Sequence, residues 1–240
     1  VDSVIALYSS GQIKETLEAC DLLAAQYPNE ALLYNISGAC YTDSGQLEMA
    51  VKHFEQALVI NPHYVEAHYN LGCVLQNLGH FKASVSHYQQ ALEINPDYAE
   101  VHYNLGKILK ETGQLEAAVN SYKRVLKIDP DFVTAHYNLG NTLRGLGQLE
   151  AAVNSFEQAL AIKPDYAEAH NNLGATLKDL SQLEAAVNSF EQALAIKPDY
   201  AEAHDNLGNA LRELHQLEPA VNSFEQALAI KPDYADAHNN

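Results

Sequence analysis

Seven prolines recur along the chain at one fixed interval. Each stands 34 residues after the last, at Pro28, Pro62, Pro96, Pro130, Pro164, Pro198 and Pro232. Self-similarity at a period of about 20–50 residues marks a repeat architecture, in which each supersecondary unit buries its apolar face against its neighbours. One repeating unit therefore fills the 240 residues, which need not be divided into globular domains by length.

The repeat at residues 133–166 carries the pattern of two amphipathic helices. Numbered 1 to 34, it has apolar or small residues at positions 4, 7, 8, 11 and 14, and again at 17, 20, 21, 24, 27 and 28. Both sets have the spacing of one helix face. Gly147 separates them as a C-terminal cap and Pro164 stops the second, so each repeat is predicted to be helix, tight turn, helix. Small residues at positions 8 and 20, Gly140 and Ala152, should let the two helices approach closely.

Some signals at the helix ends are less regular. Ser181 and His215 replace the glycine of the turn, which should weaken two caps by some tenths to about one kcal/mol. Pro219 falls in the first turn of its helix, where proline is tolerated. Asp165, with Glu168 three residues later, has the form of a capping box and predicts a helix start there.

These features resemble the tetratricopeptide repeat (TPR) family, whose pattern W-x2-L-G-x2-Y, then A-x3-F, then P is matched from its Leu-Gly onward. Its tryptophan is replaced by histidine or Tyr34, and its tyrosine by leucine except at Tyr41. The resemblance implies an all-α fold, an α-solenoid that forms a right-handed superhelix of stacked antiparallel helix-turn-helix hairpins.

We predict a single TPR domain over residues 1–240, in a piece of a longer protein. A partial, divergent repeat at 1–30 is followed by repeats at 31–64, 65–98, 99–132, 133–166, 167–200 and 201–234, and by the truncated start of another at 235–240.

Charge and composition restrict the partners. A net charge of −17 and a pI near 4.9 argue against binding to nucleic acid or to an anionic membrane. There is no apolar run long enough to span a bilayer and no signal-peptide pattern, so we expect a soluble, cytoplasmic protein. Three cysteines without CxxC spacing, and one histidine per repeat on the packed face, favour core roles over metal sites. No catalytic constellation or phosphate loop stands out, so we expect neither enzymatic activity nor a cofactor.

A row of asparagines is the main candidate for binding. At position 6, on the free side of the first helix, stand Asn70, Asn104, Asn138, Asn172, Asn206 and Asn240, with Ile36 breaking the series. An amide side chain has the same donors and acceptor as a peptide group, so it can bind a ligand's main chain without reading its side chains. The row resembles the asparagine array in the superhelical arm of O-GlcNAc transferases, which implies a concave groove for an extended peptide. The alternative is that the asparagines bond to neighbouring helices and were copied by duplication.

Two further rows border these asparagines. Tyrosines at position 5, Tyr69, Tyr103 and Tyr137, would give apolar contacts to ligand side chains. A basic row, Lys107 at position 9 with Lys110, Arg144, Lys178 and Arg212 at position 12, would suit an acidic or phosphorylated peptide. The alternative for the basic row is neutralisation by acids at positions 2 and 13 of adjacent helices.

The sequence thus predicts a protein–protein interaction module that binds an extended peptide or partner segment. Two alternatives stay open. One is a self-assembling scaffold whose copies stack end to end. The other is a substrate-recruiting arm of a larger enzyme such as a glycosyltransferase.

Overall fold

The computed structural model describes residues 2–232, and within them all regular structure is helical. The helices are α1 (Asp2–Ser9), α2 (Ile13–Gln26), α3 (Ala31–Asp43), α4 (Leu47–Ile60), α5 (Val65–Asn77), α6 (Phe81–Ile94), α7 (Ala99–Glu111), α8 (Leu115–Ile128), α9 (Val133–Gly145), α10 (Leu149–Ile162), α11 (Ala167–Asp179), α12 (Leu183–Ile196), α13 (Ala201–Glu213) and α14 (Leu217–Ile230). The predicted all-α repeat fold is confirmed. Asn240 and the predicted truncated repeat at 235–240 lie outside the described residues.

The chain separates into two compact units, Val1–Thr112 and Gly113–Asn240. The first unit contains α1 to α7 and the second contains α8 to α14. Helix hairpins make up both units: α3 packs on α4 and α5 on α6 in the first, while α9 packs on α10, α11 on α12 and α13 on α14 in the second. The second helix of one hairpin also packs on the first helix of the next, as α4 does on α5 and α12 on α13.

In five of the hairpins a glycine at position 8 faces an aromatic ring of the second helix, at Gly38, Gly72, Gly140, Gly174 and Gly208. A Cβ atom added at Gly140 would lie 2.7 Å from Cε1 of Phe156, and one at Gly174 would lie 2.7 Å from Cε1 of Phe190. Both rings are 0% exposed, so they have no free space into which to move. The close helix approach predicted from Gly140 is therefore confirmed, and it explains why alanine does not replace these glycines.

The turns inside the hairpins end in a left-handed residue, as the sequence predicts. Gly147 has φ of +71°, and Ser181 and His215 adopt the same region with φ of 58° and 60°. Since side chains are strained in this region, the two non-glycine caps keep the turn geometry at a cost in stability.

The predicted capping box at Asp165 is wrong. Helix α11 begins at Ala167, and its N-cap is Tyr166, which makes no side-chain cap hydrogen bond. Asp165 therefore lies one residue too early to cap the helix. Glu168 instead approaches Lys197, with Oε1 3.9 Å from Nζ.

Within each unit, the first helices of successive repeats lie closer together than the second helices do. Helix α5 contacts both α3 and α7 in the first unit, and α11 contacts both α9 and α13 in the second. Among the described residues, second helices of successive repeats make fewer such contacts. Each stack therefore curves toward its first helices, whose free side is concave.

Candidate functional site

The asparagines of the predicted row lie near the middle of the first helices and are half-buried. Asn70 and Asn104 belong to α5 and α7 in the first unit. Asn138, Asn172 and Asn206 belong to α9, α11 and α13 in the second. Each part of the row therefore lies along the first helices of its own unit, half-buried between successive repeats.

In the second unit, these amides donate hydrogen bonds to the preceding repeat. Nδ2 of Asn172 donates to Oη of Tyr137 at 3.0 Å and to Oδ1 of Asn141 at 2.8 Å. Nδ2 of Asn206 donates to Oδ1 of Asn171 at 3.0 Å. The asparagine amides therefore hold successive first helices in register.

The first unit repeats this arrangement. Nδ2 of Asn70 donates to Oδ1 of Asn35 at 3.1 Å. Nδ2 of Asn104 lies 3.4 Å from Oη of Tyr69 and 3.6 Å from Sγ of Cys73. Position 6 thus reaches position 5 of the preceding repeat, at a sequence separation of 35 residues.

The carbonyl half of the amide is left available at several of these positions. In the described part of the chain, Oδ1 of Asn70, Asn172 and Asn206 accepts no hydrogen bond. Because Nδ2 is held by the neighbouring helix, the amide plane is fixed before any ligand arrives. The row therefore offers oriented acceptors.

The position-5 tyrosines are half-buried between repeats. The Tyr69 and Tyr137 rings pack on Tyr98 and Tyr166, with centroids 5.2 Å and 4.9 Å apart. Burial is the main cause that raises the pKa of Tyr69, so its phenol stays protonated and neutral. Nζ of Lys107 lies over the Tyr103 ring, 5.8 Å from the ring centroid. These rings are therefore only partly accessible to a ligand.

Three residues of the basic row are engaged with neighbouring side chains. Nη2 of Arg144 lies 2.9 Å from Oδ2 of Asp179, and Nζ of Lys178 lies 4.0 Å from Oε1 of Glu213. Arg212 donates through Nη2 to Oδ1 of Asn209 at 3.0 Å. Both ion pairs join position 12 of one repeat to position 13 of the next.

Lys107 and Lys110, both on α7, differ from these residues. Neither has a carboxylate within ion-pair distance in the described part of the chain. Partial burial lowers the pKa of Lys110. The two lysines are therefore uncompensated cations on the concave side of the first unit.

The histidines at position 4 serve the turns between repeats. Nε2 of His68 donates to the carbonyl of Pro62 at 3.0 Å, and each later histidine of the described row makes the same bond to its proline at 2.9 Å. A carbonyl only accepts, so Nε2 carries the proton.

Over residues 2–232, no group of three or more His, Cys, Asp or Glu side chains is arranged to hold a metal ion. Over the same range, no helix is both long and apolar enough to span a membrane.

A family model described as TPR repeat matches most of the chain. The matched segments overlap and cover residues 38–79, 77–113, 106–144, 140–181, 176–214 and 208–240. A curated relative, the peroxisomal targeting signal receptor of Candida albicans, is 30% identical over 74 residues. That match covers 31% of this chain and only 12% of the relative's length.

Two solved structures show the same fold. The C-terminal part of a TPR repeat-containing protein from Cytophaga hutchinsonii has a TM-score of 0.80 at 17% identity, covering 99% of this chain and 98% of that one. YrrB, described as a TPR protein with an unusual peptide-binding site, has a TM-score of 0.71 at 22% identity, covering 79% of this chain and 97% of that one.

Proposed function

The chain belongs to the TPR family, so we infer that it is a protein–protein interaction module, and we propose that an extended partner segment binds along its first helices. The single observation that carries the proposal is that Asn70, Asn172 and Asn206 have their amides fixed through Nδ2, while their Oδ1 atoms accept no hydrogen bond in the described part of the chain. A partner's main-chain N–H groups would donate to these oxygens.

The asparagines differ in which hydrogen-bonding atoms remain free for a ligand. Asn70 and Asn206 each use one amide hydrogen, so each keeps one N–H and Oδ1 for a ligand. Asn172 uses both hydrogens and keeps Oδ1 alone. A bidentate bond to a peptide group is therefore open at Asn70 and Asn206, whereas Asn172 would act as an acceptor.

The spacing of the row suits an extended chain. Packed helices lie about 8–10 Å apart, and an extended chain advances about 3.3 Å per residue, so one asparagine would meet every third residue. Each bond would contribute about 0.5–1.5 kcal/mol, from which the cost of ordering the partner is subtracted. Affinity should therefore be modest, in the micromolar range.

Side-chain contacts would add selectivity. The partly exposed rings of Tyr69, Tyr103 and Tyr137 would provide apolar contact. Lys107 and Lys110 have no described carboxylate partner and suit an acidic side chain. Arg144 and Lys178 would first have to release Asp179 and Glu213, so their contribution should be smaller. Arg212 occupies the same position in the last described repeat.

A paired substitution tests the proposal. The probe is a set of fluorescein-labelled twelve-residue peptides of varied sequence, with binding followed by fluorescence anisotropy. Asn138→Ala with Asn172→Ala should weaken every peptide that binds the wild-type chain. The control, Glu157→Ala with Gln158→Ala on the exposed side of α10, should not. Equal losses from both pairs, at unchanged helix content, would reject the assignment.

A further inference from the structure

A charge pairing runs between repeats of the second unit. The cation at position 12 of one repeat meets the acid at position 13 of the next, as Arg144 meets Asp179 at 2.9 Å and Lys178 meets Glu213 at 4.0 Å. Each pair is separated by 35 residues in sequence. At these positions the carboxylate charge is compensated from within the protein.

Asp43 occupies the same position in the first unit but has no such cation. Its counterpart 35 residues earlier is Tyr8, whose Oη donates to Oδ2 of Asp43 at 3.1 Å. Burial, followed by the hydrogen bond to Asp43 and its charge, raises the pKa of Tyr8 to about 12, so the phenol remains neutral. No lysine or arginine lies within ion-pair distance of Asp43 among residues 2–232. The Asp43 carboxylate is therefore not balanced by a cation of the described chain, unlike Asp179 and Glu213.

Beside Asp43 lies a cavity of about 140 Å³ lined by residues of α1, α3, α4 and α5. Ala39, Phe54 and Val74 give it apolar walls, while Asp43, Thr42 and Asn70 supply polar atoms. The opening exists because the α3 side chains are short. Ala39 and Thr42 stand at positions 9 and 12, where α7 carries Lys107 and Lys110.

We propose that this cavity, the Asp43 pocket, receives a lysine or arginine side chain of the partner segment. The aliphatic stem would lie against Ala39 and Val74, and the charged group would reach Asp43, as long basic side chains commonly divide between apolar and polar surroundings. Asn70 lines the same pocket, so the residue that inserts its side chain can donate its main-chain N–H to Oδ1 of Asn70. The pocket thus rests on the proposed function and adds a basic residue to the partner's description.

Two probes test the pocket: fluorescein-labelled eight-residue peptides that are identical except for lysine or norleucine at one central position. The wild-type chain should bind the lysine peptide about three- to tenfold more tightly, and the preference should fall as salt is added. Asp43→Asn should abolish the preference. The matched control is Glu55→Gln, which removes an exposed acid on α4 away from the pocket and should leave the preference intact.

A second variant copies the pairing of the later repeats. Tyr8→Arg should place a cation beside Asp43, as Arg144 lies beside Asp179, and should remove the lysine preference without removing Asp43. Equal binding of both peptides to the wild type, or a preference that survives Asp43→Asn, overturns the pocket and leaves the asparagine row standing. If neither peptide binds, the proposed function fails with it. A helix content equal to wild type by circular dichroism shows that each variant is folded.

Discussion

Replacing Asn172 with alanine should loosen the stack of repeats in the second unit, because Nδ2 of this residue makes two hydrogen bonds to α9. They end on Oη of Tyr137 at 3.0 Å and on Oδ1 of Asn141 at 2.8 Å. At about 0.5–1.5 kcal/mol for each bond, their loss costs about 1–3 kcal/mol. Alanine returns at most about 0.7 kcal/mol through its higher helix propensity. The net expectation is therefore a loss of about 0.5–2 kcal/mol.

Asn188 provides the matched control for this substitution. It is an exposed asparagine in α12 with no described side-chain hydrogen bond, so Asn188→Ala keeps the gain in propensity and loses no contact. The variant should be stabilised by up to about 0.7 kcal/mol. The difference between the two variants isolates the two bonds of Asn172.

Urea unfolding followed by far-UV circular dichroism measures both variants. Because repeat arrays depart from two-state unfolding, amide hydrogen exchange in α9 and α11 should be measured as well. Asn172→Ala should lower the urea midpoint and speed exchange in these two helices, while Asn188→Ala does neither. Equal midpoints for the two variants would refute a structural role for the asparagine row.

Three other substitutions test the packing and the pH dependence. Gly174→Ala would bring a Cβ atom within 2.7 Å of the buried ring of Phe190, at a cost of about 1–3 kcal/mol that outweighs a propensity gain of up to about 1 kcal/mol. Gly145→Ala, whose nearest described atom would be 3.7 Å away, should instead stabilise the chain, as thermal unfolding would show. His87 has its pKa lowered by burial and then by His68, whose Nδ1 lies 3.1 Å from its own. The unfolded state therefore binds a proton at His87 more readily than the folded state does. The neutral histidine contributes its full stability above about pH 6.5, and this contribution is lost as the pH falls through the lowered pKa of the folded state. His87→Ser, the residue found at this position in later repeats, should flatten the acid side of a plot of melting temperature against pH; an unchanged slope contradicts the assignment.

The repeat fold follows from the sequence because its signals are steric and recur at one period. Proline at position 32 stops the second helix, and Gly174 admits the ring of Phe190. Even the substituted turns at Ser181 and His215 keep the left-handed conformation, since both flanking helices constrain the chain there.

The partners of the asparagine amides are harder to predict. Helical spacing assigns Asn172 to the free side of α11, but it does not say which atoms of α9 come within 3 Å of it. A sequence signal does exist. Positions 5 and 6 of successive repeats are 35 residues apart, and the pairs Asn35 with Asn70 and Tyr137 with Asn172 all carry hydrogen-bonding groups. The prediction of a capping box at Asp165 fails for a similar reason. The motif is local, whereas the start of α11 depends on how the repeats pack.

The placement of charges along the first helices describes a partner in more detail than the net charge does. Over residues 2–232, Asp43 on α3 has no cation within ion-pair distance, and Lys107 and Lys110 on α7 have no carboxylate. Two spacings of first helices separate α3 from α7, about 16–20 Å, which an extended chain crosses in five or six residues. A partner with a basic residue at one end of such a segment and an acidic residue at the other would meet both charges in one orientation only. The asparagine amides do not distinguish the two chain directions by charge, so these residual charges would set the direction in which the partner lies.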